Sequence, residues 1–188
     1  MSLRLRVHDI CPYSRVNGPG VRAVVWVQGC SIGCKGCFNP DTHPENQNGT
    51  DYDPKRLGEE LGKLAVDGVT VSGGEPLDQP EPLIAMMQAF RQSHGGTALL
   101  YTGYTVDSIL RCDRKRKALL QFDAAIAGPY QYHSNEIWQG KKLVLLTARI
   151  TADELQPERK IEFVGRENSL HVTGFPTAEI KTLVQSML

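Results

Sequence analysis

Apolar residues along this chain fall into short β-branched runs separated by stretches with helical spacing. "VRAVVWVQG" (21–29) is nearly continuous in apolar residues and ends on glycine, which predicts a strand buried on both faces, with Trp26 in the core. Asp53 and Pro54 form an N-cap and first-turn pair. Leu57, Leu61 and Leu64 then recur at helical spacing, so a helix with one apolar face is expected to about Asp67. "GVTVS" (68–72) reads as a short buried strand. A second helix is expected over roughly Pro80 to Ser93, with Leu83, Ile84, Met87 and Phe90 inward; Met86 and Met87 read as core filler. "TALLY" (97–101) is the next strand, and Val106 to about Leu120 reads as one or two short helices. "DAAIAG" (123–128), "KLVLL" (142–146), "KIEFV" (160–164) and "SLHVT" (169–173) read as strands. "TAEIKTLVQSML" reads as a closing helix after Pro176, and the polar, turn-rich "HPENQNGTDYDP" as a surface loop.

Strands and helices alternate through the first two thirds of the chain, which predicts βαβ units and an α/β fold with a mostly parallel sheet. Ligands in such sheets bind beyond the carboxyl ends of the strands. The segment after Gly29, "SGGEP" (72–76), "YTGY" (101–104) and "GPY" (128–130) each follow a predicted strand directly, so all four are expected on one rim. A length of 188 residues suggests one domain over 1–188, with a core of about 16–150 and C-terminal strands and helix over 151–188. Twenty-one basic and 21 acidic residues balance, which removes the electrostatic case for nucleic acid or an anionic membrane as partner. The basic run Arg111 to Lys117 reads as a solvated helix face. There is no apolar run of about 18 residues that would span a membrane, and the N-terminal stretch lacks the apolar region of a signal peptide. A cytoplasmic location with reduced thiols is therefore expected.

Candidate chemistry is concentrated in "VQGCSIGCKGCF" (27–38), where Cys30, Cys34 and Cys37 follow a C-x3-C-x2-C spacing. The five cysteines cannot all pair, and three share one loop, which favours a metal or cluster over a disulfide framework. Structural zinc asks for four ligands, and His43 could complete a Cys3His set. Such sites usually staple two separate ligand pairs, whereas this is one compact loop, which fits an iron–sulfur cluster better. A [4Fe–4S] cube is normally held by four thiolates, so three leave one iron open. Gly33 and Gly36 permit the tight backbone wrap this needs. Cys11 and Cys112 lie far from the triplet and read as ordinary thiols. His8, His94, His133 and His171 offer no matching constellation, and Asp123 reads as a plain strand-start residue.

The cysteine spacing just after the first core strand, followed one strand later by "SGGEP", resembles the radical S-adenosylmethionine (SAM) superfamily. The resemblance implies an incomplete (β/α) barrel of about four to six strand–helix units with a short C-terminal extension. It implies a [4Fe–4S] cluster on Cys30, Cys34 and Cys37, with the open iron chelating the amino and carboxylate groups of SAM. Ser72, Gly73, Gly74, Glu75 and Pro76 would surround the methionine moiety. Thr102 and Tyr104 would face the same rim, Phe38 would pack near the adenine, and Asn39 would hydrogen-bond nearby. No catalytic side chain is implied beyond the cluster and SAM.

"VNGPGVRAVVWVQGC" (16–30), "GCKGCFN", "YTGYT" (101–105) and "FDAAIAGPY" (122–130) resemble the activating enzymes of glycyl-radical proteins, above all the anaerobic ribonucleotide reductase type. That implies reductive cleavage of SAM to a 5′-deoxyadenosyl radical, which takes a hydrogen from a glycine of a partner glycyl-radical protein. It also implies a flavodoxin-like or other low-potential electron donor. Two departures stand out: Ala127 occupies the second aspartate of the "DxLxDGPF" pattern, and "QGKKL" (139–143) replaces "GSxNQ". Two other readings stay open. One is a radical SAM enzyme acting on a small molecule or peptide, such as a relative of the deazaguanine-forming synthases. The other is a non-catalytic zinc or iron–sulfur binding module.

Overall fold

The N-terminal residues, whose pattern gives no clear period, form the longest strand, β1 (Leu5–Ser14). In chain order there follow β2 (Arg22–Val27), β3 (Thr50–Tyr52), α1 (Pro54–Leu61), β4 (Gly68–Gly73), α2 (Pro80–Ser93) and β5 (Thr97–Thr102). Then come α3 (Val106–Leu110), α4 (Asp113–Leu119), β6 (Ala124–Ala127), β7 (Lys142–Leu145), β8 (Ile161–Arg166) and β9 (Ser169–Gly174). This computed structural model describes residues 3–45, 48–131, 137–158, 160–166, 169–177, 179–180 and 182–183.

Seven strands form one sheet in the order β3-β1-β2-β4-β5-β6-β7, and β8 and β9 pair separately as a hairpin. The β2, β4, β5 and β6 strands are mutually parallel, whereas β1, β3 and β7 join antiparallel at the flanks. The α/β expectation therefore holds, with the parallel part confined to the centre and at the low end of the expected number of strand–helix units. Helices cover one face: Leu57, Leu83, Met87 and Phe90 pack with Val25, Val71, Leu100 and Ala125. Each such fully buried side chain contributes about 1.5–3 kcal/mol relative to exposure. On the opposite face Leu99, Ala124 and Ile126 are covered by Ile150 and Leu155. No helix among the described residues is long and apolar enough to cross a membrane.

Three elements differ from the pattern-based expectation. The first helix ends at Leu61 rather than near Asp67. A Cβ on Gly62 would lie 2.0 Å from Ser93 Oγ, and the chain continues in tight turns in which Lys63 N–H donates to Glu60 O and Leu64 N–H to Leu61 O. Leu64 still reaches the core from this turn. Part of the expected surface loop, Thr50–Tyr52, is an edge strand pairing with β1. The β1 strand itself escapes pattern reading because its register with β2 shifts twice, between Val7 and Asp9 and between Cys11 and Ser14, which breaks the two-residue alternation. The closing helix expected after Pro176 lies largely outside the described residues, as does His133.

At the amino ends of the parallel strands, Arg22 is fully buried, and burial lowers its pKa to about 10. Every arm of its guanidinium is engaged. Nε donates to Thr70 Oγ1 (2.7 Å), Nη1 to Pro19 O and Thr97 Oγ1 (3.0 Å each), and Nη2 to Val69 O (2.6 Å) and Thr97 O (3.1 Å). One side chain thus joins the starts of β2, β4 and β5. Gly68 leaves room for it: a Cβ there would stand 2.9 Å from Arg22 Nη1 and 2.1 Å from Thr97 O.

Arg22→Met strands several buried carbonyl and hydroxyl acceptors and is expected to lower unfolding stability by about 3 kcal/mol or more. Arg22→Lys, with three donors in place of five, should fall between the two. A urea midpoint shift at constant slope measures this; a methionine variant as stable as the parent would refute the role.

Candidate functional site

Gln28, directly after β2, is buried and holds the following loop in place. Its Nε2 donates to Asp41 O (3.0 Å) and Pro44 O (2.7 Å), and its Oε1 pairs with His8 Nδ1 (2.7 Å). The backbone closes the same loop, with Gly29 N–H donating to Thr42 O (2.8 Å) and Cys30 N–H to His43 O (3.2 Å). Between these anchors lie Cys30, Cys34 and Cys37. Gly33 and Gly36 sit at φ 60° and 63°, left-handed values at which a side chain is strained, and they turn the loop tightly enough for all three thiols to face inward.

The three cysteines line one cavity of about 1120 Å³, counting its open mouth, at the carboxyl ends of the parallel strands. Phe38, Asn39, Ser72, Gly73, Gly74, Glu75 and Thr102 line it as well. Pro76 and Tyr104 do not. Pro76 is buried at the start of a 3-10 turn (Pro76–Asp78). Tyr104 donates to Asp78 Oδ1 (2.7 Å) and pairs with Ser31 Oγ (3.0 Å), bracing the loop from outside, with Lys115 Nζ 3.4 Å from its ring centre. Ala127 packs in the core on the helix side of the sheet, so that departure from the family pattern lies away from the cavity. Asp123 is also structural. Burial pushes its carboxyl up, but Arg91, Thr147 Oγ1 and the Ala98 N–H together hold it below the usual range.

The "GGEP" segment zips the end of β4 to the cysteine loop. Gly74 N–H donates to Val27 O and Glu75 N–H to Gly29 O, both at 2.8 Å. A Cβ on Gly74 would lie 2.1 Å from Gly29 O, so glycine is required here for backbone against backbone. Glu75 is fully buried. Its Oε1 accepts from Leu77 N–H (2.9 Å) and Thr102 Oγ1 (2.7 Å), and its Oε2 from Gly103 N–H (2.7 Å). Burial drives its pKa up to about 7 against those three donors, and the Asp78 charge adds to the rise. The Cys30 thiol is also raised by burial, opposed by the Gly33 and Ile32 N–H groups, with Glu75 and Asp78 adding to the rise.

Several cavity residues were not singled out from the sequence. Trp26, expected as plain core, is only half-buried and faces the cavity. Asn17, buried, donates to Ser14 Oγ and Thr173 Oγ1 (2.8 Å each) and ties the hairpin to the sheet beside the cavity. The far wall is an aromatic arc. Phe38 meets Tyr130 (ring centres 6.3 Å apart) and Phe175 (6.0 Å), and Tyr101 meets Phe175 and Trp138 (6.3 Å each). Lys141 enters from just before β7. Burial lowers its pKa, and Glu75, Cys34 and Cys37 pull it back up. The signal for Lys141 was present in "QGKKL", where the pattern breaks; nothing in the local sequence marks Phe175 or Trp138.

Two buried nitrogens of cavity-lining residues, His43 Nε2 and Trp138 Nε1, have no hydrogen-bond partner among the described residues. Among the described residues no three His, Cys, Asp or Glu side chains converge closely enough to hold a single ion.

A sequence profile of the 4Fe-4S single cluster domain matches residues 16–147. The chain is 37% identical over 105 residues to the pyruvate formate-lyase-activating enzyme of Clostridium pasteurianum, covering 53% of this chain and 44% of that one. It is 32% identical over 142 residues to the anaerobic ribonucleoside-triphosphate reductase-activating protein of Enterobacteria phage T4, covering 70% of this chain and 86% of that one. It thus spans less than half of the first relative and most of the second. Among solved structures, QueE from Escherichia coli aligns over 54% of this chain and 53% of its own, with a TM-score of 0.44 and 14% identity.

The folded protein holds the Glu75 proton more tightly than an unfolded chain does. Raising the pH from 4.5 toward about 7 therefore removes stability contributed by this group. Chemical denaturation of the cofactor-free parent and Glu75→Gln across that window should show the difference in unfolding free energy changing by about 2–3 kcal/mol, then levelling off. Parallel pH profiles would contradict the buried-carboxyl assignment.

Proposed function

The chain belongs to the 4Fe-4S single cluster domain family and, within it, to the radical SAM activases of glycyl-radical proteins, and from that premise we propose that it is itself such an activating enzyme. Cys30, Cys34 and Cys37 would hold a [4Fe–4S] cluster, leaving one iron for SAM. The fit rests on this chain's own residues. All three cysteines line one cavity, and among the described residues His43 Nε2 and Trp138 Nε1 on its lining have no protein partner. When bound, the cluster supplies the electron that cleaves SAM reductively, so that a hydrogen atom can be taken from a strong C–H bond.

The protein's part is binding, orientation and exclusion of water. Ser72, Gly73, Gly74 and Glu75 form the wall beside the cysteine loop and would take the methionine end of SAM. Glu75 has both oxygens engaged by protein donors, so it shapes that wall. Thr102 anchors Glu75 from β5. Phe38 and Asn39 stand at the exit of the cysteine loop, where Phe38 offers a ring face to a nucleobase. The aromatic arc keeps the far side of the cavity dry.

In this reading the hydrogen comes from the Cα of a glycine in a partner glycyl-radical protein. The electron comes from a flavodoxin-like or other low-potential donor, and the protein works in the cytoplasm with reduced thiols. The observation that carries the proposal is that the cysteine loop after β2 and the "GGEP" end of β4 are zipped together and face one cavity.

Anaerobic reconstitution should give a brown protein with about four irons that releases 5′-deoxyadenosine and methionine from SAM only with a reductant. Cys34→Ala should reduce release to background. A colourless protein holding one zinc, or undiminished cleavage by the alanine variant, would overturn the cofactor assignment. With a glycyl-radical protein added, a glycyl signal should appear by electron paramagnetic resonance. Cleavage without that signal, but with turnover of a small molecule or peptide, would replace the partner-protein reading.

A further inference from the structure

Lys141 sits one residue before β7, on a turn closed by its N–H donating to Trp138 O (2.9 Å). Its ammonium donates to Gly128 O and lies 3.4 Å from Thr102 O. These are the carbonyls at the carboxyl ends of β6 and β5, and together they clamp a flexible side chain in one place. An ammonium has three N–H donors, so the clamp leaves one directed elsewhere. Among the described residues lining the cavity, Lys141 is the only lysine or arginine. The negative groups that act on it are Glu75, Cys34 and Cys37. The clamped cation therefore belongs to the same cavity wall as the three cysteines.

We propose that Lys141 is a positioning residue that keeps a fixed positive charge at the cysteine-lined cavity and raises the cluster's reduction potential. The inference rests on the cofactor reading above. Adding one electron to a cluster makes it more negative. A nearby cation stabilises the reduced form more than the oxidised form, and it does so more strongly in a half-buried setting than in water. The clamp matters as much as the charge: a free lysine would swing into solvent and be screened. Glu75, one of whose oxygens accepts from Gly103 N–H, lines the same cavity. Lys141 thus offsets negative charge gathered at the thiolates.

The test compares anaerobically reconstituted parent, Lys141→Met and Lys141→Arg in a dithionite redox titration without SAM, followed by electron paramagnetic resonance, with iron and sulfide content measured for each. Lys141→Met should bind the same iron but show a reduced-to-oxidised ratio tenfold lower at a fixed applied potential. That corresponds to 59 mV toward lower potential for a one-electron couple. Lys141→Arg should titrate close to the parent. A methionine variant that titrates with the parent overturns the proposal. So does an arginine variant shifted as far as the methionine one, because packing rather than charge would then be responsible. Lys141→Gln serves the same comparison should the methionine variant fail to take up iron. A parent that assembles no cluster defeats the cofactor reading itself, an outcome distinct from a cluster whose potential ignores Lys141.

Discussion

A carboxylate with nowhere to go organises the working end of this protein. Glu75 is sealed from solvent at the end of β4, and its two oxygens are taken by Leu77 N–H, Thr102 Oγ1 and Gly103 N–H. Burying a carboxyl costs several kcal/mol unless its lone pairs are met. The local backbone must therefore keep those donors converged. That requirement fixes the turn after β4, the end of β5 and the Thr102–Gly103 peptide in one arrangement. The cysteine loop inherits its position from this arrangement, because Glu75 N–H and Gly74 N–H reach back to Gly29 O and Val27 O.

The two ends of the parallel sheet are held by opposite charges working the same way. At the amino ends Arg22 spends its whole guanidinium on carbonyls and hydroxyls of neighbouring strands. At the carboxyl ends Glu75 gathers backbone and hydroxyl donors. Neither side chain has a salt-bridge partner among the described residues. Each instead satisfies the loose ends that parallel strands leave where they stop. The rim at the Glu75 end can then present thiols and glycines to a ligand without fraying.

Much of this was legible in the sequence where local pattern and tertiary role agree. The helix Pro80–Ser93 carries its boundaries in Pro80 and in the spacing of Leu83, Met87 and Phe90. The β2, β4, β5 and β6 strands are apolar because both their faces are covered, and the motifs after them lie on one rim because parallel strands all stop on the same side. What escaped was set by distant partners. The β1 strand is bulged, so its alternation is scrambled. Arg22 looks like any strand-start arginine until Thr70, Val69 and Thr97 are brought to it. Tyr104 sat in a motif that pointed to the cavity, yet its hydroxyl is claimed by Asp78 and Ser31 outside it. Gly74 also makes room for Gly29 O, a contact that no local pattern announces.

The β8–β9 hairpin belongs to its own small sheet, yet it delivers Gly174 and Phe175 to the cavity wall and is tethered to the main body through Asn17, Thr173 and Glu162. None of the parallel strands depends on it for pairing. Sequence drift in the hairpin can therefore remodel what the chamber admits while leaving the cysteine loop untouched. If the chain is the activase proposed above, choice of guest and power of reaction are then inherited on separate pieces of it, free to evolve at different speeds.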